Sequence, residues 1–412
     1  MRGYPVGFRS VCLSILFERC AAFMLASSLL LMLCERYGYP RQDALRLGGL
    51  ITAAGYFGSL PAGFLADRVL GHRRGLTISL ALLSVGYLLL TFPSQLALWA
   101  ALSLLTAGNS LFKPTAQAVV GQLFAPKDPR LDGAQLWLHL GINVGAVLGA
   151  IVAGVAIQRW GWSVTYLLSA LAVCIGRLCL FARRSDPLPS HSVYSRNSKP
   201  DNLDGISMKD RVKTIAALTL AMLLFNLCYG QVEGSLLLWT RQHVDRTLYG
   251  FTVPPSWFVG LPALLVLFFA PAQLALLPRI QRALPVHLLV AFGLLSTALA
   301  FAVLIPIQLL SDTKHICIVW IVVSHSLLIA GETLVGPIGL SQVLRLTPPR
   351  LVGMMMGVWF VSGAIGYWLA GELGALFINC PQTLGFALFS LLPLLGAGVI
   401  LLLINKPRSP KP

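Results

Sequence analysis

Charged residues are scarce in this chain, and acidic ones are scarcer still. Only 11% of the 412 residues are charged, with 15 Asp and Glu against 31 Lys and Arg. That poverty of charge excludes an ordinary soluble domain, in which about a quarter of the residues are charged. The eight cysteines, Cys12, Cys20, Cys174 and Cys228 among them, show no metal-ligand or disulfide spacing. No nucleophile–base pair, metal cluster or phosphate loop occurs, so the sequence predicts no enzyme and no cofactor. A cleavable leader is not expected either. The basic start at Arg2 and Arg9 runs into an apolar stretch that is too long and already contains Glu18 and Arg19.

What the chain has instead is apolar length. Hydrophobic residues make up 56% of it and the mean hydropathy is +0.77, which marks a polytopic membrane protein. Spans of about 20 apolar residues, the length a bilayer requires, fall near 10–33, 44–69, 74–92, 96–124, 132–158, 162–182, 212–240, 254–279, 285–310, 315–344, 351–378 and 382–405. The stretch 183–211 is polar and rich in Pro, Ser, Asn and Asp, so it reads as a flexible linker. It divides the chain into six spans over 1–182 and six over 212–412. An all-α protein of twelve spans in two six-helix halves is the organisation of a major-facilitator transporter. The net charge of +16 invites a nucleic-acid partner, but the cations sit in short loops on alternate sides. About 21 lie on the side of the two termini and the linker, and about 7 on the other. That imbalance puts both termini in the cytoplasm and suits the inner membrane of a bacterium.

Against this apolar background the buried polar residues are informative, because each is expensive there. Lys113 lies inside the fourth span, about 11 residues or roughly 16 Å from its end, too far for one side chain to snorkel. A lysine so placed costs roughly 2.5–3.5 kcal/mol and should face a partner or a wet cavity. Pro114 follows it and predicts a kink. By helical rise, Glu18 and Arg19 lie roughly 12–15 Å deep, Asn143 about 16 Å, Glu332 about 18 Å, Tyr56 about 20 Å and Trp359 about 12 Å. Gln231 and Glu233 fall roughly 26 Å deep and beyond. Most of these residues share one layer, where an alternating-access carrier keeps its substrate. Glu18 can neutralise Arg19 or Lys113 by forming a buried pair. Glu332 has only His325 near it in its own half, and His325 reads as helix packing. Its charged form is therefore the least stabilised, and it is the expected proton carrier. The loop GFLADRVLGHRR, 63–74, places Asp67 and Arg68 at a helix end, where a gating role fits.

Several stretches resemble the proton-dependent oligopeptide transporter family. They are GFLADRVLG (63–71), SLFKPTAQAVVGQLF (110–124), DPRLDGAQLWLHLGINVGA (128–146), HVDRTLYGF (243–251), PPSWF (254–258), GPIGLSQV (336–343) and RLVGMMMGVWFVSGAIGYWLAG (350–371). The first-helix motif of that family is Glu-x-x-Glu-Arg-Phe-x-Tyr-Tyr. Here Glu18 and Arg19 are kept, while Ile15 replaces the first Glu, Cys20 the Phe, and Ala22 and Phe23 the Tyr pair. Ala26 stands for a further arginine, Gly230 for an acid of the seventh span and Pro262 for an asparagine of the eighth. The resemblance implies proton-coupled symport of di- and tripeptides or peptide-like molecules by a monomer, with Tyr56, Lys113, Asn143, Gln231, Glu332 and Trp359 lining the site. It also implies that Lys113 takes the ligand carboxylate and Glu332 its amino group, with Glu18, Arg19, Lys113 and Glu332 coupling to protons. The departures leave two alternatives open, export of a peptide-like compound and a non-transporting accessory or sensor protein.

Overall fold

A computed structural model of the chain describes residues 4–5, 7–124, 128, 130–181, 207–310, 316–348 and 351–403. It is helical almost throughout. The first pass is α1 (Phe8–Ala26) and α2 (Leu29–Glu35). They part at Ser27 and Ser28, whose hydroxyls donate to the Met24 carbonyl at 3.3 and 2.5 Å and so compete with the helical ladder. The second pass is α3 (Arg41–Phe57), α4 (Ser59–Leu65) and a π-turn over Ala66–Leu70. Next come α5 (His72–Leu89) and α6 (Gln95–Gln122), where the Ser94 hydroxyl caps α6 by accepting from the Ala97 amide at 3.3 Å. The backbone of α6 stays helical through Pro114. The long α7 (Arg130–Phe181) makes two passes, because Gly161 at φ 80° turns the chain back on itself.

The second half opens with α8 (Met208–Tyr229), a turn at 230–234 and α9 (Ser235–His243). It continues with α10 (Ser256–Ala283), α11 (Val286–Ala302), α12 (Leu304–Leu310), α13 (Val319–Leu346), α14 (Val352–Phe377) and α15 (Gln382–Leu403). Counting α1–α2, α3–α4, α8–α9 and α11–α12 as single passes, the described residues make twelve. Nine helical segments, the double α7 among them, are long and apolar enough to cross a bilayer by themselves. The passes follow the hydropathy pattern of the sequence.

Two expectations need correction. The linker was expected to reach 211, but α8 begins at Met208, capped by the Ser207 hydroxyl, which accepts from the Asp210 amide at 3.4 Å. Residues 182–206 lie outside the described part. The seventh span is not one helix, since 230–234 leave it. Two small strand pairs accompany the helices, as the all-α class allows. β1 (Val244–Asp245) runs parallel to β4 (Ile316–Cys317), and β2 (Thr247–Leu248) is antiparallel to β3 (Phe251–Thr252). The β2–β3 turn uses Tyr249 and Gly250 at φ 48° and 79°.

Between the halves, α3 packs along α14 and α7 along α10. The first contact is unusually close. A Cβ at Gly49 would lie 2.8 Å from the Gly371 Cα, so only two glycines allow the crossing. Nearby, Arg46 pairs with Glu372 at 3.3 Å and Arg241 of α9 pairs with Glu35 of α2. These contacts close the rim at the end of the bundle away from Phe181 and Met208. At the other end, α4 and the π-turn stand exposed, with Phe64 62% and Val69 68% accessible.

Candidate functional site: a charged cavity between the halves

Below the closed rim lies a cavity of about 380 Å³ lined by both halves. Of the residues expected to form the site, Arg19, Tyr56, Lys113, Asn143 and Glu332 line it. So do Asn109, His139, Tyr229, Glu233 and Tyr367. The volume lies within the range of small-molecule sites.

The first half supplies the cations. The Nζ of Lys113 sits 3.6 Å from the centroid of the Tyr56 ring. Tyr56 in turn stacks on Tyr367 of the other half, with centroids 5.3 Å apart and planes 15° off parallel. Arg19 is committed elsewhere. Its Nε and one terminal nitrogen donate to the two carboxylate oxygens of Glu18 at 2.5 and 2.6 Å. It also donates to Asn109 at 3.2 Å and lies 5.6 Å over the Phe112 ring. The pair is thus bidentate, anchored from α6 and internally neutral. Asn143 donates to the His139 carbonyl at 2.8 Å, one turn back along α7.

The second half supplies the acids. Glu332 on α13 and Glu233 in the turn after α8 both reach the cavity. Neither makes a hydrogen bond or ion pair among the described residues. Both act electrostatically on Tyr56, Tyr229 and Tyr367. Lys113 feels Arg19 and Glu18 within its own half and Glu233 across the cavity.

Several expectations about the site change. Glu18, at 0% exposure, does not reach the cavity, and its partner is Arg19 rather than Lys113. Gln231 is spent on the bundle: its amide donates to the Leu227 and Ala370 carbonyls at 3.2 and 3.0 Å, and its oxygen accepts from Ser235 at 2.6 Å. Trp359 is buried in the hydrophobic core of the second half, where its ring lies against Gly339. Neither of these lines the cavity. Glu233 does, although helical rise placed it too deep, because the chain leaves the helix at Gly230. Gly230 itself has no room for an acid: a Cβ there would lie 2.7 Å from the Ala370 Cβ. Ile15 is core, whereas Ala22 and Ala26 line the cavity and leave space where longer side chains would stand. Asp67 and Arg68 lie in the exposed π-turn. Asp67 faces His72 Nε2 at 3.3 Å, and Arg68 lies 5.4 Å over the Phe64 ring. Among the described residues no cluster of metal-binding side chains occurs.

Two residues overlooked in the sequence carried a usable signal. Asn109 and His139 each precede an expected site residue, Lys113 and Asn143, by four positions and so share its helix face. Tyr367 had no such signal, because its partner Tyr56 lies in the other half.

Comparison with known proteins agrees with this architecture. The Major Facilitator Superfamily model matches residues 11–371. The chain is 25% identical to dipeptide and tripeptide permease A of Yersinia pestis, covering 88% of this chain and 82% of that protein. It is likewise 25% identical to the permease of the same name from Escherichia coli K12, over 87% and 82%. The solved structure of a POT family transporter in complex with 5-aminolevulinic acid superposes with a TM-score of 0.89 at 19% identity, over 98% of this chain and 96% of that one. A peptide transporter POT in complex with sulfate gives 0.89 at 22% identity, over 98% and 95%. The chain belongs to the Major Facilitator Superfamily and is a divergent member of its proton-dependent oligopeptide transporter branch.

Proposed function

We propose that the chain is a secondary active transporter that carries small peptides, or molecules shaped like them, together with protons. The observation that carries this reading is the charge arrangement of the cavity, with the free cation Lys113 on one half and the free acids Glu233 and Glu332 on the other. A zwitterion bridges such a site, and a bridge between two bodies is what an alternating-access cycle acts upon. The named relatives, which are dipeptide and tripeptide permeases, support the substrate class. In this reading the halves are 1–182 and 212–412, joined by the linker 183–211. Loop charge assigns the closed rim to the outside, so the cavity faces inward, both termini are cytoplasmic, and Asp67 and Arg68 act at the inner gate. The protein works as a monomer in the bacterial inner membrane, driven by the proton gradient without a bound cofactor. Uptake of di- and tripeptides by proteoliposomes under an imposed proton gradient tests the reading, and a failure to accumulate any of them refutes it.

One observation favours a second reading, export of a larger peptide-like compound. Ala22 and Ala26 widen the cavity where longer side chains would otherwise narrow it. Uptake into inside-out vesicles in preference to right-side-out ones would decide for it.

A further inference from the structure

Away from the cavity, the β2–β3 hairpin presents a cluster of apolar side chains outside the packed core. Leu248 is 44% exposed, Phe251 is 47% exposed, and Tyr249 at the turn is fully exposed. Leu248 and Phe251 are direct cross-strand partners, so they share one face of the hairpin. Tyr249 is the one non-glycine residue at positive φ among the described residues. Asn, Asp or Gly would hold that turn with less strain, yet the position carries a large ring that points clear of the protein. The base of the hairpin is firmly tied. The Val253 amide donates to the Arg246 carbonyl at 2.8 Å, and the Arg246 guanidinium donates to the Val253 carbonyl at 2.7 Å. The Asp245 carboxylate accepts from the Thr247 amide at 2.9 Å. Charge is therefore spent at the base, and no residue from Thr247 to Trp257 is charged.

Two contacts fix the level of the tip. The Phe251 ring lies 5.6 Å from the Trp257 ring, and the Trp257 indole donates to the Ile151 carbonyl at 3.3 Å across the seam of α7 and α10. Ile151 precedes Gly161 by ten residues, which sets Trp257 about 15 Å below the turn of α7. In the other direction, Val266 lines the cavity nine residues beyond Trp257, about 13 Å further along α10. A transporter cavity lies near the midplane, and half of the hydrocarbon layer is about 15 Å thick. Trp257 and the tip beside it thus stand close to the outer boundary of that layer. The exposed Trp99, Trp160 and Trp320, near the start of α6, the turn of α7 and the start of α13, belong to the same end. Exposed tryptophans at that level form the aromatic belt of a membrane protein, and the hairpin tip continues it.

We infer that residues 248–251 are a membrane anchor, with Leu248, Tyr249 and Phe251 inserted at the headgroup boundary of the outer leaflet. The partner is the lipid of the protein's own bilayer. Leu248 and Phe251 supply the apolar area, while Tyr249 buries its ring and keeps its hydroxyl among the headgroups. Because Phe251 leans on Trp257 and Trp257 holds Ile151, the anchored tip is joined to both halves at their lateral seam. The inference goes beyond the transport reading, and only the choice of leaflet follows from the orientation given there.

A fluorescent non-natural side chain at position 249 of the full chain tests it in nanodiscs of phosphatidylcholine and phosphatidylglycerol, where both membrane faces are open to solvent. Lipid carrying a quencher just below its headgroup should reduce the emission several-fold more than iodide in the buffer does. The emission should also lie at shorter wavelength than that of the free fluorophore in water. Leu248→Asp together with Phe251→Asp should expel the tip and bring the fluorophore within reach of iodide. If iodide quenches the tip with Leu248 and Phe251 intact as it quenches the free fluorophore, the tip stands in water, a protein partner becomes its natural cover, and the proposal is wrong. If the lipid quencher still reaches the fluorophore in the aspartate variant, the apolar side chains are not the anchor and the proposal is equally wrong. Should that variant lose its helical circular dichroism, the comparison of the two quenchers on the intact tip decides alone. None of these readings needs a transported peptide, so failure of the transport reading would be a separate result.

Discussion

The ammonium of Lys113 rests 3.6 Å from the centroid of the Tyr56 ring, and that ring is itself stacked on Tyr367 of the opposite half. A desolvated cation over an aromatic face gains about 2 kcal/mol or more, and the aromatic pair adds about 0.5–1.5 kcal/mol beyond its buried area. The cation is thus held without an anionic contact and remains available to a carboxylate ligand. Because the stack crosses from one half to the other, the placement of Lys113 depends on how the halves meet.

Tyr367→Ala should therefore weaken ligand binding although Tyr367 carries no charge. We expect KM for a dipeptide to rise about tenfold, the equivalent of 1.4 kcal/mol. Tyr367→Phe, which preserves the stack, should restore it. Equal behaviour of the Ala and Phe variants in a concentration series of initial uptake rates would refute a role for the ring.

The two buried acids with different surroundings should fail differently. Glu332→Gln should abolish accumulation of a neutral peptide driven by a proton gradient, yet leave counterflow exchange measurable without a gradient. Glu18→Gln strands Arg19, which is 14% exposed and keeps only Asn109 as a strong partner among the described residues. Breaking a buried pair from one side costs about 3–5 kcal/mol, so thermal unfolding in detergent should shift markedly downward. A Glu18→Gln protein that melts normally but is uncoupled would exchange the two roles.

These assignments show what the sequence discloses. Lys113, Asn143, Tyr56 and Glu332 were legible because a polar side chain in an apolar span is conspicuous and helical rise fixes its depth. Glu233 was misplaced because depth counting assumes an unbroken helix, and the turn at 230–234 is built by glycines whose close contacts are tertiary. Gln231 and Trp359 were assigned to the site by depth and resemblance, yet depth says nothing about which way a side chain faces. For Glu18 the sequence left Arg19 and Lys113 both open as partners; Arg19 folds back beside it, and Asn109 on another helix anchors that geometry.

At the closed rim, Gly49→Leu should pry α3 from α14, since even a Cβ would meet backbone at 2.8 Å. Spin labels on α3 and α14 near the rim should show a wider and more open distance distribution by several ångströms. An unchanged distribution would mean that the Gly49–Gly371 crossing does not hold the rim shut.

Loop charge predicts where the ends of the chain lie. Reporter fusions after residues 195 and 410 should both signal the cytoplasm. A signal from the opposite compartment at either site would invert the assignment of the closed rim to the outside.

The break after α8 has a mechanical consequence. At 230–234 the α-helical ladder gives way to tighter turns, and a helix axis can bend at such a place. Beyond that joint, α9 is a stiff rod of nine residues, about 13 Å long. Glu233 sits at its near end, and Arg241, gripping Glu35 of the first half, lies close to its far end. A tilt of α9 about that joint would move Glu233 and the Arg241 grip together, so that loading of the cavity and release of its lid would be two ends of one moving part.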